Sequence, residues 1–221
     1  MQAKRPSKEP EVVDHRTRVG RERRARTQSR IIEAALHVFA GKGPDAPVIE
    51  DFIKTAGVAR GTFYNYYKST DELLEATSKW LEDDLIMSIE AAMEELNDPV
   101  ERLTTGVLLW MKKAESDPAW CAFVVRVRHH GRLVERQLAG DLRAGLRAGD
   151  FSFPSLPVAR DLVIGTMREA MSRMTQERVP KTHAEDVARV VLQGLGLDSR
   201  MVERALSRPL PKIRRLARSI E

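Results

Sequence analysis

The sequence contains few of the residues that build disulfides and metal sites. It has one cysteine, Cys121, so the chain cannot form an internal disulfide. Cys121 lies within the apolar run 120–127, which predicts a buried and unreactive thiol. The five histidines lack the ligand spacing of zinc sites, and the neighbours His129 and His130 would diverge by about 100° on a helix. We therefore expect no structural metal and no cofactor.

Long apolar runs and enzyme motifs are missing as well. No apolar run approaches the about eighteen residues that a membrane-spanning helix requires, and the N-terminal segment is polar and basic. These features predict a cytoplasmic protein that does not enter membranes. The sequence also lacks a nucleophile elbow, a P-loop, a dinucleotide-binding fingerprint and a paired metal motif. It therefore predicts a protein that is not an enzyme.

Positive charge is concentrated at the two ends of the chain. The net charge is +5 overall, with +6 in residues 1–30 and +4 in residues 198–221, so the middle carries −5. An acidic body with basic ends is typical of a protein that meets a polyanion at a local surface. The alternative is that each basic run is a solvated tail without a binding role.

Residues 1–20 contain two prolines, many charges and few apolar side chains. Such a segment buries too little surface to offset the entropy lost on ordering, so we predict a disordered basic arm. The arm can follow phosphates or enter a minor groove, as homeodomain arms do, or it can be a passive tail. The residues do not distinguish between these roles.

The next segment has the pattern of helices joined by a tight turn. Apolar residues recur at helical spacing within 21–40, where we predict the first helix. A second helix follows Pro47, which suits a first helical turn because it has no N–H to satisfy. Gly57 supplies a residue that is free to adopt a positive φ, and a short third helix follows over about 59–66. This arrangement is a helix-turn-helix, which predicts a DNA-reading protein.

These residues and their neighbours, over about Thr27 to Ala76, resemble the TetR family of bacterial transcription regulators. The resemblance rests on Phe39, Gly43, Ile49, Ala56-Gly57-Val58, Gly61-Thr62-Phe63-Tyr64, Tyr66-Tyr67 and Leu73-Leu74. It implies an all-α fold with an N-terminal three-helix helix-turn-helix head and a C-terminal helical body for ligand binding and dimerisation. The expected parts are a basic arm (1–20), a DNA-binding domain (21–68), a ligand-binding and dimerisation domain (69–207) and a basic tail (208–221).

The resemblance implies DNA contacts by the third helix, and the arginine-rich beginning of the first helix is expected beside the phosphates. The candidate DNA-binding residues are Arg26, Arg60, Thr62, Tyr64, Asn65, Tyr66 and Lys68. Arg60 and Thr62 offer donors and a methyl group to base edges or phosphates. The phenols of Tyr64 and Tyr66 are expected on phosphates. The other two aromatic residues of this helix, expected to pack inward, are Phe63 and Tyr67.

Three places depart from the family pattern. Neither Pro47 nor Val48 carries the hydroxyl that commonly caps the second helix. Ala59 stands where a capping serine is common, and Thr70 stands where a lysine is usual. A missing N-cap costs about 0.5 to 2 kcal/mol. We expect these departures to weaken helix starts and phosphate anchoring, and the arginine-rich arm to compensate.

Helix-start signals divide the rest of the chain. Ser69 and Glu72 form a capping box that opens a long fourth helix, predicted to continue to Leu96 and to link the head to the body. Asp-Pro pairs at 98–99 and 117–118 predict the starts of helices five and six. The remaining helices are predicted over 133–146, 157–174, 182–195 and from about 198 to 207.

The two strongly apolar late helices are candidates for a subunit interface. In TetR-like proteins the last two long helices pair with those of a second subunit as a four-helix bundle. The resemblance therefore implies a homodimer through residues about 157–195. Core packing within one subunit is the alternative.

Large apolar residues in the middle of the body, with one basic side chain as a polar anchor, are candidates for a ligand pocket. They are Trp110, Met111, Trp120, Phe123 and Arg126. Core packing is the main alternative for the four apolar residues. Arg126 can instead extend to solvent or pair with an acid.

These features predict a homodimeric transcription regulator, foremost a repressor, whose recognition helices enter successive major grooves of a palindromic operator about 34 Å apart. A small-molecule effector in the body would tilt the fourth helix and lower operator affinity. One alternative is a ligand-independent architectural DNA-binding protein. A remote alternative is an all-helical enzyme with an incidental helix-turn-helix.

Overall fold

The computed structural model describes residues 15–127 and 132–213, apart from the side chains of residues 15–17, 82 and 132. These residues form ten helices and no strand, which confirms the all-α fold. The helices are α1 (His15–Lys42), α2 (Ile49–Ala56), α3 (Arg60–Tyr64), α4 (Thr70–Ala92), α5 (Pro99–Ser116), α6 (Pro118–Arg126), α7 (Arg132–Ala148), α8 (Leu156–Gln176), α9 (His183–Gly194) and α10 (Ser199–Leu206). The expectations for residues 1–14, 128–131 and 214–221 lie outside the described residues.

Helix α1 is longer than the sequence analysis predicted. It starts at His15 rather than Arg21, so residues 15–20 of the expected arm are helical. Arginine is a good helix former, and Arg18 lies 3.9 Å from Glu22 one turn later. Within residues 15–20, the polar composition that predicted a disordered arm therefore belongs to a helix.

Three phenylalanines form the centre of the head, which consists of α1, α2 and α3. Phe39, Phe52 and Phe63 are fully buried. The ring centroids of Phe39 and Phe52 lie 4.9 Å apart, and those of Phe52 and Phe63 lie 6.4 Å apart. Phe123 of α6 packs edge-on against Phe39 at 6.2 Å. The hydrophobic core is therefore continuous from the head into the body.

The turn between α2 and α3 depends on Gly57 and on a distant arginine. Gly57 has φ 61° and ψ 41°, in the left-handed region, and the Val58 amide donates to the Ile53 carbonyl at 3.1 Å. Arg30 of α1 donates to the carbonyl oxygens of Ala56 at 2.7 Å and Gly57 at 3.2 Å. A Cβ at Gly57 would lie 3.2 Å from that guanidinium. The backbone angles and the arginine together favour glycine here.

A carboxylate compensates for the missing hydroxyl at the start of α2. Asp51 accepts hydrogen bonds from the Val48 amide at 3.0 Å and from Lys42 Nζ at 2.6 Å. These two bonds, the lysine's first, hold the pKa of Asp51 below its ordinary value. Ala59, the N-cap of α3, has no side-chain hydrogen bond of this kind. Both helix starts lack the usual hydroxyl cap, but only the start of α3 has no other side chain in its place.

Helix α4 connects the head to the body. Ser69 Oγ accepts from the Glu72 amide at 3.1 Å, and the Glu72 carboxylate accepts from the Lys68 amide at 2.7 Å. The predicted N-cap at Ser69 is confirmed, but Glu72 bonds to the Lys68 amide instead of the Ser69 amide that a capping box uses, and α4 ends at Ala92 rather than at Leu96. Its 23 residues span about 34 Å. The helix is long enough to carry a displacement from the body to the head.

Helices α8 and α9 pack closely against each other. A Cβ at Gly194 of α9 would lie 2.6 Å from Leu162 Cδ2 of α8, so glycine allows this approach. Val158 and Val190 are each 53% exposed on the outer surface of these helices. No helix in the described part of the chain is long and apolar enough to cross a bilayer.

Candidate nucleic-acid interface and internal cavity

Helix α3 presents a polar surface and buries its other aromatic residues. Arg60, Tyr64 and Asn65 are exposed. Phe63 and Tyr67 are buried in the head, as the sequence analysis expected. Thr62 is half-buried and Lys68 exposed, so the predicted polar contacts lie on or beside one short helix.

Arg60 is held in place by two neighbours. Its guanidinium forms an ion pair with Glu50 of α2 and lies 6.0 Å from the centre of the Tyr64 ring. Contact with Tyr64, and then with Glu50, raises the pKa of Arg60 further above its ordinary value. The arginine is therefore a permanent cation, oriented before any ligand arrives.

Tyr66 bonds to α1, which the sequence analysis did not anticipate. Its hydroxyl donates to the Arg24 carbonyl at 3.2 Å, and the Arg24 guanidinium lies 5.6 Å from the ring centre. The phenolic hydrogen expected on a phosphate is thus used within the chain. Tyr66 ties α1 to the region that follows α3.

A basic groove lies between α1 and α3. Its floor and walls include Arg23 and Arg24 from α1 together with Thr62 and Asn65. Arg26, the arginine chosen from the sequence, is exposed but does not line this groove. The sequence analysis placed Arg23 and Arg24 within the first helix but did not single them out, because the packing of α3 against α1 is a tertiary contact that helical spacing does not encode. The groove can hold an anion beside the reading helix.

An internal cavity of about 90 Å³, partly open to solvent, lies between α4, α5, α7 and α8. Its wall is mostly apolar and includes Ile89, Trp110 and Met167. An apolar cavity known to bind benzene in another protein has about 150 Å³. A ligand of more than a few heavy atoms must therefore move at least one of these helices.

A cluster of three charged residues closes one edge of the cavity. Arg102 of α5 donates to Asp141 of α7 and to Glu90 of α4, both at 2.8 Å. It also donates to the carbonyl oxygens of Met93 at 3.2 Å and Leu96 at 3.4 Å, just after α4 ends. The cluster therefore fixes the C-terminal end of α4 to two other helices.

The five ligand-pocket candidates from the sequence occupy four different places. Trp110 lines the internal cavity. Met111 and Phe123 are buried in the core, and Trp120 lines a second concavity beside α1. Arg126 does not line the cavity, because it donates to the Gly41 carbonyl at 2.8 Å and holds the end of α1. The charged residues at the cavity are those of the Arg102 cluster and Arg168.

Cys121 has the environment expected of a structural thiol. It is buried, and its Sγ donates to the Met171 carbonyl at 3.6 Å. Burial, with a smaller contribution from Asp117, raises the pKa of the thiol to about 11. Within the described part of the chain, no group of three or more potential ligands could hold a metal ion.

Two family models match this chain. One, described as bacterial regulatory proteins of the tetR family, matches residues 31–77, and the other, described as a tetracyclin repressor-like C-terminal domain, matches residues 98–208. The chain belongs to the TetR family of bacterial transcription regulators. The two models correspond to the head and the body of this TetR-family fold.

Curated relatives match parts of the TetR-family chain. The HTH-type transcriptional regulator BetI of Rhizobium meliloti strain 1021 is 30% identical over 128 residues, which is 53% of this chain and 63% of BetI. The uncharacterized HTH-type transcriptional regulator YvdT of Bacillus subtilis strain 168 is 42% identical over 50 residues, 23% of this chain and 26% of YvdT. The match thus spans less than two thirds of the length of either relative.

Solved structures share the whole TetR-family fold. RolR in complex with resorcinol superimposes with a TM-score of 0.66 and 24% identity, over 87% of this chain and 99% of RolR. FadR from Bacillus subtilis in complex with stearoyl-CoA has a TM-score of 0.67 and 21% identity, over 75% of this chain and 98% of FadR. At these identities the likeness concerns the fold.

Proposed function

We propose that this TetR-family chain is a homodimeric repressor that releases a palindromic operator when a small molecule enters the cavity between α4, α5, α7 and α8. The observation that carries the proposal is that the cavity wall includes α4, the helix that begins just after the reading helix. The protein would act on the chromosome in the cytoplasm and would catalyse no reaction.

The coupling runs from the cavity through the charged cluster to α4. Because the cavity is small, a ligand that enters it fully must part α4 from α5 or α7. The pair between Glu90 and Arg102 crosses the α4–α5 boundary and resists this parting. A ligand that binds the opened form more tightly shifts the population toward it, in proportion to its differential affinity. Displacement of α4 then changes the position of the head.

The charges at the cavity favour an uncharged, largely apolar effector. Arg102 is already bonded to two carboxylates and two carbonyl oxygens. Arg168 donates to the Val125 carbonyl at 3.2 Å. The charged lining residues sum to zero, because Glu90 and Asp141 balance the two arginines. The cavity therefore offers no excess positive charge to an anionic ligand.

On the DNA side, the exposed residues of α3 would face base edges and the basic groove would face phosphates. Arg60 and Thr62 are the candidates for base contacts. Tyr64, Asn65 and Lys68 would bind the backbone, with the further candidates Arg23, Arg24 and Arg26 on α1. Tyr66 would position α1 instead of donating to a phosphate.

The dimer interface would be the outer surface of α8 and α9. The exposed Val158 and Val190 on this surface would be covered by the same surface of a second subunit. A two-fold dimer places two heads on one side of the molecule, which a palindromic operator requires.

The test fills the cavity without removing any contact. Gly106 of α5 lines the cavity, and a Cβ there would meet no atom within 4 Å, so Gly106→Leu should fill the space and keep the fold. The matched control is Gly140→Leu on the exposed side of α7, where a Cβ also meets nothing within 4 Å. Fluorescence anisotropy of labelled operator DNA would be followed against a panel of uncharged aromatic and aliphatic compounds and their carboxylated analogues.

We expect an uncharged compound to release DNA from the parent and from Gly140→Leu, but not from Gly106→Leu, which should still bind DNA. Release that is equal in all three proteins would place the effector elsewhere. Release by the carboxylated analogues alone would contradict the assignment of an uncharged effector. DNA binding that no compound affects would favour a ligand-independent architectural protein.

A further inference from the structure

A second concavity, larger than the internal cavity, lies where the head meets the body. This junction groove, of about 1050 Å³, runs between residues 29–37 of α1, residues 80–88 of α4 and residues 109–116 of α5. Its floor consists of buried aliphatic side chains, among them Ile32, Leu81, Leu85 and Leu109. The groove therefore has walls from both the head and the body.

The charged residues of the junction groove include an excess of carboxylates. Four carboxylates, two lysines and one histidine line it. Lys113 Nζ is paired with Asp117 at 2.7 Å. No described basic side chain forms an ion pair with the other three carboxylates, which come from α1, α4 and α5 and are Glu33, Asp84 and Glu115. The groove therefore attracts cations.

Two tryptophans in the junction groove favour an organic cation over a metal ion. Trp120 is 1% exposed, and the Nε1 atoms of Trp80 and Trp120 are buried without a hydrogen-bond partner among the described residues. Lys113 Nζ lies 5.9 Å from the centre of the Trp120 ring, so this ring already faces an ammonium group. Indole rings and an aliphatic floor bind the apolar part of a ligand, which a hydrated metal ion lacks. The unpaired N–H groups favour a ligand that also carries a hydrogen-bond acceptor.

We propose that the junction groove is a second ligand site, which binds a small aliphatic ammonium compound that also carries a hydroxyl or ether oxygen. The ammonium group pairs with the carboxylates and with an indole face, and the aliphatic chain packs on the apolar floor. The oxygen accepts from an indole N–H. Because the walls come from α1, α4 and α5, the bound cation holds the head against the body, whether or not the internal cavity is occupied.

The junction groove adjoins the internal cavity through a pair of tryptophans. Trp110 lines the cavity and Trp120 lines the groove, and their rings pack edge-on with centroids 5.3 Å apart. Helices α4 and α5 also contribute walls to both sites. An effector that displaces α4 therefore weakens cation binding, and the cation weakens effector binding by the same factor. This coupling rests on the proposed function, whereas cation binding in the groove does not.

Calorimetric titration of the full-length protein with 6-aminohexan-1-ol tests the site. Hexane-1,6-diol has the same chain and lacks the ammonium group, and hexylammonium lacks the hydroxyl. Asp84→Asn combined with Glu115→Gln removes two carboxylates of the groove and keeps their shapes. The control, Glu75→Gln combined with Glu94→Gln, removes the same charge from exposed positions outside the groove.

We expect the parent and the control to bind 6-aminohexan-1-ol equally, and the groove variant to bind it several-fold more weakly at low salt. The diol and hexylammonium should each bind the parent several-fold more weakly than 6-aminohexan-1-ol. Gly106→Leu, which fills the internal cavity, should bind 6-aminohexan-1-ol like the parent. No binding by the parent, equal binding by the groove variant, or equal binding of the diol would overturn the proposal. Loss of binding in Gly106→Leu would overturn it as well, because the ligand would then occupy the internal cavity.

Hydrogen exchange measures whether the bound cation holds the head against the body. Saturating 6-aminohexan-1-ol should slow the exchange of amides in residues 29–37 and 80–88 several-fold in the parent. The same concentration should have little effect on these amides in the groove variant. Exchange of both segments that does not change in the parent when the compound is bound would contradict the restraint on the head.

Discussion

At the scale of a single residue, Arg60 is held by its neighbours at the position where we propose a DNA contact. The guanidinium is a strong hydrogen-bond donor that reads guanine through two parallel bonds. Glu50 and Tyr64 hold it near the surface of α3, which reduces the entropy lost on binding. In the proposed complex the pair with Glu50 would have to be exchanged for DNA, so the same carboxylate would oppose non-specific contact with phosphates.

Replacement of Arg60 and replacement of Glu50 should have different effects on DNA binding. Arg60→Ala should weaken binding to the operator by about tenfold or more and should change binding to random DNA much less. Glu50→Gln removes the competing charge, so we expect tighter binding to random DNA and a smaller ratio of operator to random affinity. Anisotropy titrations of both DNAs at one salt concentration measure this ratio.

The control for these titrations is Lys54→Ala, which removes an exposed cation of α2 and leaves the ion pair between Arg60 and Glu50 in place. An equal loss for operator and random DNA in Arg60→Ala would show that Arg60 contacts phosphates instead of bases.

At the scale of a helix, the carboxylate of Asp117 stabilises the junction between α5 and α6. It caps α6 by accepting from the Trp120 amide at 3.0 Å and binds Lys113 at 2.7 Å. Partial burial alone would raise the pKa of Asp117, but these hydrogen bonds outweigh it, and the pKa lies below the ordinary value of 3.8. The charged carboxylate therefore stabilises the fold.

Asp117→Ala should lower the free energy of unfolding by about 0.5 to 2 kcal/mol at neutral pH, the usual cost of a lost N-cap. The part of this loss that depends on the negative charge is obtained by comparing the free energies of unfolding of the parent and Asp117→Asn. Because the folded-state pKa is depressed, this part is present above about pH 4 and is lost as the pH falls through the folded-state value. Urea unfolding across this range measures it, with the exposed Glu115→Ala as control. A difference that grows as the pH falls would contradict the sign of the shift.

Local signals of this kind were readable from the sequence, whereas long-range pairs were not. The caps at Ser69, Asp98 and Asp117 and the turn at Gly57 follow from residues within one helical turn of each other. Their positions were therefore predicted from spacing alone.

The pairs that position the cavity and the head join distant parts of the chain. Arg102 and Asp141 are 39 residues apart, and Arg126 and Gly41 are 85 apart. No local spacing encodes such a pair, so Arg126 was expected in the pocket and the Arg102 cluster was missed. The start of α1 was missed for another reason, since a polar exposed helix has the composition of a disordered arm.

At the scale of the whole molecule, the proposed function makes DNA recognition depend on two heads held at a fixed separation. Each reading helix has only five residues, and its start lacks a side-chain cap. A single head would therefore bind weakly, and the second head would add affinity through high effective concentration. In the proposed dimer the exposed valines of α8 and α9 lie at the interface, so replacing them should abolish operator binding without a change in the head.

The central claim, that this chain is a dimeric sequence-specific DNA-binding regulator, is tested most directly by selecting bound fragments from a random DNA pool and sequencing them. The parent should enrich a two-fold symmetric site whose half-sites lie about one helical turn apart. Val190→Asp should sediment as a monomer and lose that enrichment, while Leu146→Asp, which charges another exposed apolar position, should keep it. A pool that shows no enrichment with the parent, or the same symmetric site with a monomeric Val190→Asp, would contradict the account.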